Sequence, residues 1–299
     1  MERARGKVDD RPAHSIRDWL ILAAGILPAL LLGVAWMRQS GVPAGVYLQN
    51  VGAVVAGAAV ALYGSRRSVS PAGGLAVIAV AVLVLLATLL AGGVEGVRRW
   101  IRIGSLNVHP ASLAIPLLLV ELDRILRSGR MAIAFCTMLI VAATLVLQPD
   151  AAQAIAFAGS SVVLLAVHRK RSRAAVAGML ALPALAALSF LQSDPLDPLP
   201  HVEEIAIRIA QQGAAWQMAV IVALTLLVVP FIGRPVTGSK AAALAVAVYL
   251  ALATAASYWG NFPVPVLGYG MSPILGYLAG WTWLRATGNQ QTLDAARSS

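Results

Sequence analysis

Apolar residues dominate this chain in long runs separated by short polar corners. Runs of 17 to 22 residues recur along most of its length. A helix of about 20 apolar residues crosses a bilayer core of about 30 Å, so the pattern predicts an all-α membrane protein: a polytopic bundle of about ten transmembrane helices. The expected spans are residues 19–37, 44–63, 73–93, 110–126, 131–148, 151–167, 174–191, 212–232, 240–258 and 266–284. The fourth is short and carries Pro116, and the fifth and sixth are parted only by the corner LQPDAAQ. The second has small residues four apart (Gly52/Ala56 and Ala53/Gly57), which suits close helix packing in lipid. The spans follow one another closely, so one transmembrane domain is expected over 19–285, with tails at 1–18 and 286–299. The run from Trp19 to Met37 is long for a cleaved signal and is expected to stay as the first helix.

Composition agrees with that pattern. The chain is 59% hydrophobic and 12% charged, whereas soluble domains carry about a quarter charged residues. The single cysteine, Cys136, sits in an apolar run and allows no intrachain disulfide. A net charge of +10 could suggest nucleic acid, but its distribution points to membrane topology. Ten spans put both termini on one side. That side receives every lysine and arginine except Arg38, Arg98, Arg99, Arg102 and Arg208. Cytoplasmic loops collect positive charge, so both termini are expected in the cytoplasm, with no nucleic-acid partner. All seven tryptophans (19, 36, 100, 216, 259, 281 and 283) fall near expected span ends, as an aromatic belt requires.

Four outer segments then carry unusual polarity. In GVEGVRRWIRIGSLNVHPAS, Arg98, Arg99 and Arg102 break the charge trend and alternate with Trp100, Ile101 and Ile103. They read as anchors to lipid headgroups, or as a phosphate clamp, since guanidinium forks match phosphate oxygens. In LVLQPDAAQA, Asp150 stands where a helix begins and suits an N-cap. In and just before DPLPHVEEI, Asp194, Asp197, Glu203 and Glu204 are either solvated loop acids or supply a general base or metal-binding carboxylate beside the membrane, with His201 two residues before Glu203. In GNFPVPVLGYGMSP, glycines and prolines make a non-helical segment, tolerated at membrane depth only inside protein or along a polar cavity. The chain has no HExxH, Walker A or GxSxG motif.

At these four places the chain resembles the SEDS family, the FtsW/RodA/SpoVE group of bacterial cell-wall membrane proteins. The family pattern GxRRWI…GxxxxxPxxL is similar to Gly96, Arg98, Arg99, Trp100, Ile101, Gly104, Pro110 and Leu113. Its LQPD corner is Leu147 to Asp150, and its LPxxHTD motif resembles Leu199, Pro200, His201, Val202 and Glu203, two residues shorter. Its PLPFxSYGGS motif resembles Pro263 to Ser272, including Tyr269. The motifs come in family order. Departures are plain as well. Ser112 and Ile115 stand where the family has an acid and a lysine, GYGMSP replaces SYGGSS, the loop before the histidine is short, and Glu203 replaces an aspartate.

The resemblance implies a peptidoglycan glycosyltransferase in the bacterial cytoplasmic membrane, acting in cell division or cell-shape control. It would polymerise lipid II, a disaccharide-peptide on undecaprenyl pyrophosphate, beside a class B penicillin-binding protein. Glu203 takes the position of the proposed catalytic aspartate, with His201 and Glu204 as helpers. Arg98, Arg99 and Arg102 are candidates for the pyrophosphate, with Asp150, Tyr269 and Ser272 completing the substrate site and Mg2+ or another divalent cation as the candidate cofactor. Two alternatives stand beside this reading. One is a non-catalytic protein that binds lipid II or a partner and regulates wall synthesis. The other is a lipid-precursor flippase, disfavoured because no acid or base lies near the centre of an expected span.

Overall fold

The structure, a computed structural model, describes residues 16–93, 95–104, 106–169, 172–192, 194–232 and 238–298. The expected N-terminal tail up to residue 15, and Lys170, Arg171 and Arg234 of the basic loops, lie outside the described residues. The helices are α1 (Ile16–Gln39), α2 (Ala44–Gly64), α3 (Pro71–Leu90), α4 (Pro110–Arg127), α5 (Met131–Leu147), α6 (Ala151–His168), α7 (Arg173–Ser189), α8 (Ile205–Ala210), α9 (Ala214–Leu226), α10 (Val229–Ile232), α11 (Lys240–Ala256) and α12 (Met271–Ser298). By length and composition, α1, α2, α3, α6 and the joined stretch Ala214–Ile232 suffice to cross a membrane. The helices α5, α7 and α11 are apolar but 17 residues each. The chain is a multi-pass membrane protein.

Helix starts follow local chemistry. Ser70, Ser172 and Ser239 each accept a hydrogen bond from the backbone N–H three residues on, filling a donor that a helix start leaves free. Three elements differ from the sequence expectation. A hairpin of β1 (Ile101–Ile103) and β2 (Leu106–Val108) pairs Arg102 with Asn107, with Gly104 at φ +60° in its turn. The expected eighth span has α8 before it and a break between α9 and α10, beside Pro230, which has no N–H to donate. The last helix begins at Met271 rather than residue 266, because Pro263, Pro265 and the Gly268–Gly270 turn hold the chain out of a helix. It then runs on through the expected C-terminal tail.

The short fourth span proves to be the most enclosed helix. α4 packs against α3, α5, α6, α11 and α12, and most of its residues are buried, Glu121 and Asp123 among them. A helix wrapped by protein need not present an apolar surface to lipid, so its sequence looks less membrane-like than its neighbours. α12 approaches it very closely. A Cβ on Gly276 would run into the Ser112 backbone carbonyl, and one on Gly280 into Pro116. Of the small pairs on α2, Ala53 and Gly57 are buried, Gly57 against Leu278 of α12, while Gly52 and Ala56 face outward. We expect Gly276→Ala to destabilise the bundle by about 1–3 kcal/mol, because the obstacle is backbone and cannot rotate away. A thermal midpoint in detergent equal to the parent's would refute this.

The two ends of the bundle differ. At one end Asp123 is fully buried, taking Arg127 Nε at 2.8 Å and His168 Nε2 at 2.8 Å. Glu121 accepts from Arg124 and from the Trp283 indole N–H. Arg285 pairs with Asp18 at 2.8 Å and lies over the Trp281 ring. The contact between Asp18 and Arg285 sets the start of α1 and the later part of α12 at this same end. Trp281, expected in an aromatic belt, is 2% exposed and packs against Trp19 with ring centroids 5.1 Å apart. Span ends are also where helices pack on one another, so position along a span does not by itself make a tryptophan face lipid. The opposite end gathers the four polar segments.

Candidate functional site

Two helix starts and two loops build this end. Asp150 is the N-cap of α6, accepting from the Gln153 backbone N–H at 3.3 Å. Its other oxygen meets His109 Nε2 at 2.9 Å. His109 stands just before Pro110 at the start of α4, and its Nδ1 lies 2.9 Å from Ser112 Oγ. The His109 backbone N–H donates to Ser272 Oγ at 2.9 Å, tying α4 to the start of α12. Burial by itself would raise the Asp150 carboxyl. The hydrogen bond and charge of His109, the Arg99 guanidinium and the Gln153 N–H together hold it below the ordinary carboxylate value.

Arg99 is 3% exposed. Its fork donates to the Pro149 carbonyl and to Asp194 of the α7–α8 loop. Its guanidinium carbon lies 5.8 Å from the Trp100 ring centre and 5.6 Å from that of Phe262. It stands between two cavities. One, of about 30 Å³, is lined by His109, Asp150, Gln153 and Tyr249 among others. The second, of about 200 Å³, opens between the Pro149 corner, the end of α7 and the loop after α11.

The His201–Glu204 stretch packs on the turn before α12. The Tyr269 N–H donates to the His201 carbonyl at 3.0 Å, and the Val264 N–H to that of Val202 at 3.3 Å. A Cβ on Gly268 would meet the Val202 carbonyl, so only glycine allows this approach. Asn50 of α2 holds the same turn from the other side, donating to the Gly268 carbonyl at 2.9 Å and accepting from the Gly270 N–H at 3.0 Å. Tyr269 hydroxyl reaches Gln49 at 3.1 Å. Val266 within the turn is buried at φ +65°, a conformation that a β-branched residue rarely adopts.

Glu203 is half-buried. One of its oxygens accepts the Leu199 backbone N–H at 2.8 Å. Burial raises its carboxyl above the ordinary value; the Leu199 hydrogen bond and the Arg99 charge act against the shift, and the nearby Asp194 adds to it. Burial also lowers His201, which favours its neutral form. Glu204 pairs with Arg208 at the edge. A base works only when deprotonated, so a rate that depends on Glu203 should fall as pH drops through a value above 4.5, the unperturbed carboxyl. A pH profile flat down to 4.5 would remove Glu203 from that role.

The structure thus brings Arg99, Asp150, His201, Glu203, Tyr269 and Ser272 to one end of the bundle. Arg98 and Arg102 stay outside the cavities. Arg98 turns back to the Leu89 carbonyl at 3.1 Å, and Arg102 is exposed on the hairpin. Sequence reasoning missed His109, Gln153, Tyr249 and Asn50 as members of the site, and named Asp194 only among the loop acids, without its tie to Arg99. His109 had a signal, being a histidine next to the Pro110 match. Gln153 had one as well, standing in the polar corner LQPDAAQ, whereas Tyr249, whose hydroxyl meets it at 2.6 Å, lies inside an apolar run and had none.

No protein-family model and no curated protein matches the sequence. Solved structures do match the fold. The rod shape determining protein RodA of Thermus thermophilus superposes with a TM-score of 0.70 at 20% identity, over 94% of this chain and 98% of that one. The chain has the fold of RodA, a SEDS protein. A variant of that RodA with an aspartate replaced by alanine gives 0.69 at 20% identity, over 90% and 96%. A chain from a peptidoglycan synthase complex, described as coordinating polymerization and crosslinking, gives 0.62 at 17% identity, over 91% and 97%. The RodA fold is therefore present across nearly the whole chain, although these identities carry the fold and not the chemistry.

Proposed function

We propose that this protein is a peptidoglycan glycosyltransferase that polymerises lipid II at the outer face of the bacterial cytoplasmic membrane. In this reading the RodA-type bundle crosses the membrane ten times with both termini in the cytoplasm. The observation that carries the proposal is the convergence of Glu203, Arg99 and Asp150 at one end of that fold, opposite the charged end at Glu121 and Asp123.

The chemistry needs a base, charge for the leaving group and room for sugars. Glu203 takes the proton from the attacking sugar hydroxyl. The new glycosidic bond forms as the bond from the anomeric carbon to the pyrophosphate breaks. His201, kept neutral, and Glu204 flank the base. Arg99 orders the site by holding the Pro149 corner and Asp194 together. Exposed Arg98 and Arg102 are the cations available to the pyrophosphate at the membrane surface. Their replacement by lysine keeps charge but loses the fork, so it should weaken lipid II binding; unchanged binding in both variants would make them lipid anchors. Among the described residues no three His, Cys, Asp or Glu side chains gather as a metal cage. Mg2+ arriving with phosphates needs only one or two carboxylates; with Glu203 kept as the base, partly exposed Glu204 would be the one to hold it, and such an ion would neutralise the leaving group. A class B penicillin-binding protein is the proposed partner, since the synthase complex of like fold pairs polymerization with crosslinking.

A second reading has its own support. The Glu203 carboxylate caps a backbone N–H, and Arg99 spends its Nε and one Nη on Pro149 and Asp194, as in a site built for holding rather than turnover. A non-catalytic protein that binds lipid II or a partner fits that arrangement. Purified protein mixed with lipid II and scored for glycan strands separates the two. Strand formation supports the polymerase, and lipid II binding without strands supports the regulator.

A further inference from the structure

We propose that the 200 Å³ cavity beside Arg99 is a subsite for one neutral N-acetylated sugar ring. This deepens the polymerase reading and rests on it for the identity of the substrate. The cavity walls combine aromatic faces with unsatisfied hydrogen-bonding groups. Phe190 and Phe262 meet edge to face, 6.4 Å apart, and Trp259 stands at the mouth, 71% exposed. Such faces stack against the C–H side of a pyranose. Ser189 is 2% exposed, lines the cavity, and its hydroxyl has no hydrogen-bond partner among the described residues. A buried hydroxyl left unpaired costs about 1–3 kcal/mol, and rotation of the Ser189 side chain toward the cavity would let a ligand hydroxyl relieve it. Gln192 and Asn261 add exposed amides, the groups that pair with an acetamido substituent.

Charge excludes an anion here. Arg99 is the only cation lining the cavity among the described residues, and Asp194, which also lines it, already neutralises it. A phosphate or carboxylate would meet no free positive charge and one nearby carboxylate. Size sets the rest. Pockets for drug-sized ligands measure about 300–1,000 Å³, so this smaller space suits one ring rather than a disaccharide. Its position suits the chemistry as well, because Glu203 feels the charges of both Arg99 and Asp194.

The test uses the full chain in detergent with N-acetylglucosamine as the probe, read by saturation-transfer NMR. The parent protein should transfer saturation to the sugar, more strongly than to glucose, and inorganic pyrophosphate should not displace it. Trp259→Ala and Asn261→Ala change exposed residues, so the fold should survive, as a preserved thermal midpoint would show. Each should weaken binding about three- to tenfold. Absence of transfer to the parent, equal binding in both variants, an equal response to glucose, or displacement by pyrophosphate would each overturn the proposal. Strand synthesis plays no part in this readout. Saturation transfer that is lost in the variants, in a protein that makes no glycan, would leave the sugar subsite standing and remove only the polymerase reading.

Discussion

Glu203→Gln should abolish glycan polymerisation while leaving the protein folded. General-base catalysis contributes about 10²- to 10⁴-fold in rate, and an amide cannot accept the proton. The fold should tolerate the change. Glu203 lies in a loop, and its carboxylate accepts the Leu199 N–H, which a glutamine carbonyl can also accept. Stability should therefore move by no more than about 0.5 kcal/mol. Glu204→Gln should be milder. It loses only the partly exposed pair with Arg208, and such surface pairs contribute about 0.2–1 kcal/mol. The measurement is strand formation from lipid II beside a thermal midpoint. A Glu203→Gln protein polymerising at the parental rate would make Asp150 and Glu204 the next candidate bases.

Asp150→Ala should produce the largest loss of stability of any single change at this end. One side chain there caps α6, holds His109 and sits in the field of Arg99. Removing one partner of a buried charged pair costs about 3–5 kcal/mol, and losing an N-cap adds about 1 kcal/mol. Asp150→Asn keeps the cap oxygen and a hydrogen bond to His109, so it should lose less. The pH dependence has a definite sign. The folded carboxyl lies below its unfolded value of 3.8, so this stabilisation is complete above that value and is lost as pH falls through the lower, folded one. Thermal unfolding of both variants in detergent tests this. An alanine variant as stable as the parent would show that α4 and α6 need no tie through His109.

The apolar runs and the turn residues determined much of this protein by themselves. Run length located helices α1 to α7 and α11 to within a few residues, because helix span and bilayer thickness are tied by backbone geometry. The prolines and glycines of 263–270 marked a non-helical segment, since Pro lacks a donor and Gly268 alone permits the approach of the Val202 carbonyl. Asp150 was legible as an N-cap from its place before an apolar run. The sharing of partners was decided by tertiary structure. Arg98, Arg99 and Arg102 read alike along the chain, yet only Arg99 reaches Pro149, 50 residues on, and Asp194, 95 residues on. The hairpin directs that choice, and a two-stranded turn of three-residue strands has too short a pattern to be seen in sequence. The enclosure of α4 was hidden for another reason. Its acids Glu121 and Asp123 read in sequence as a polar span end, and only the packing of α12 and α6 shows them to be buried and partnered. Tyr249 was silent because a polar side chain inside an apolar run declares its partner, here Gln153, only when another helix brings the two within 2.6 Å.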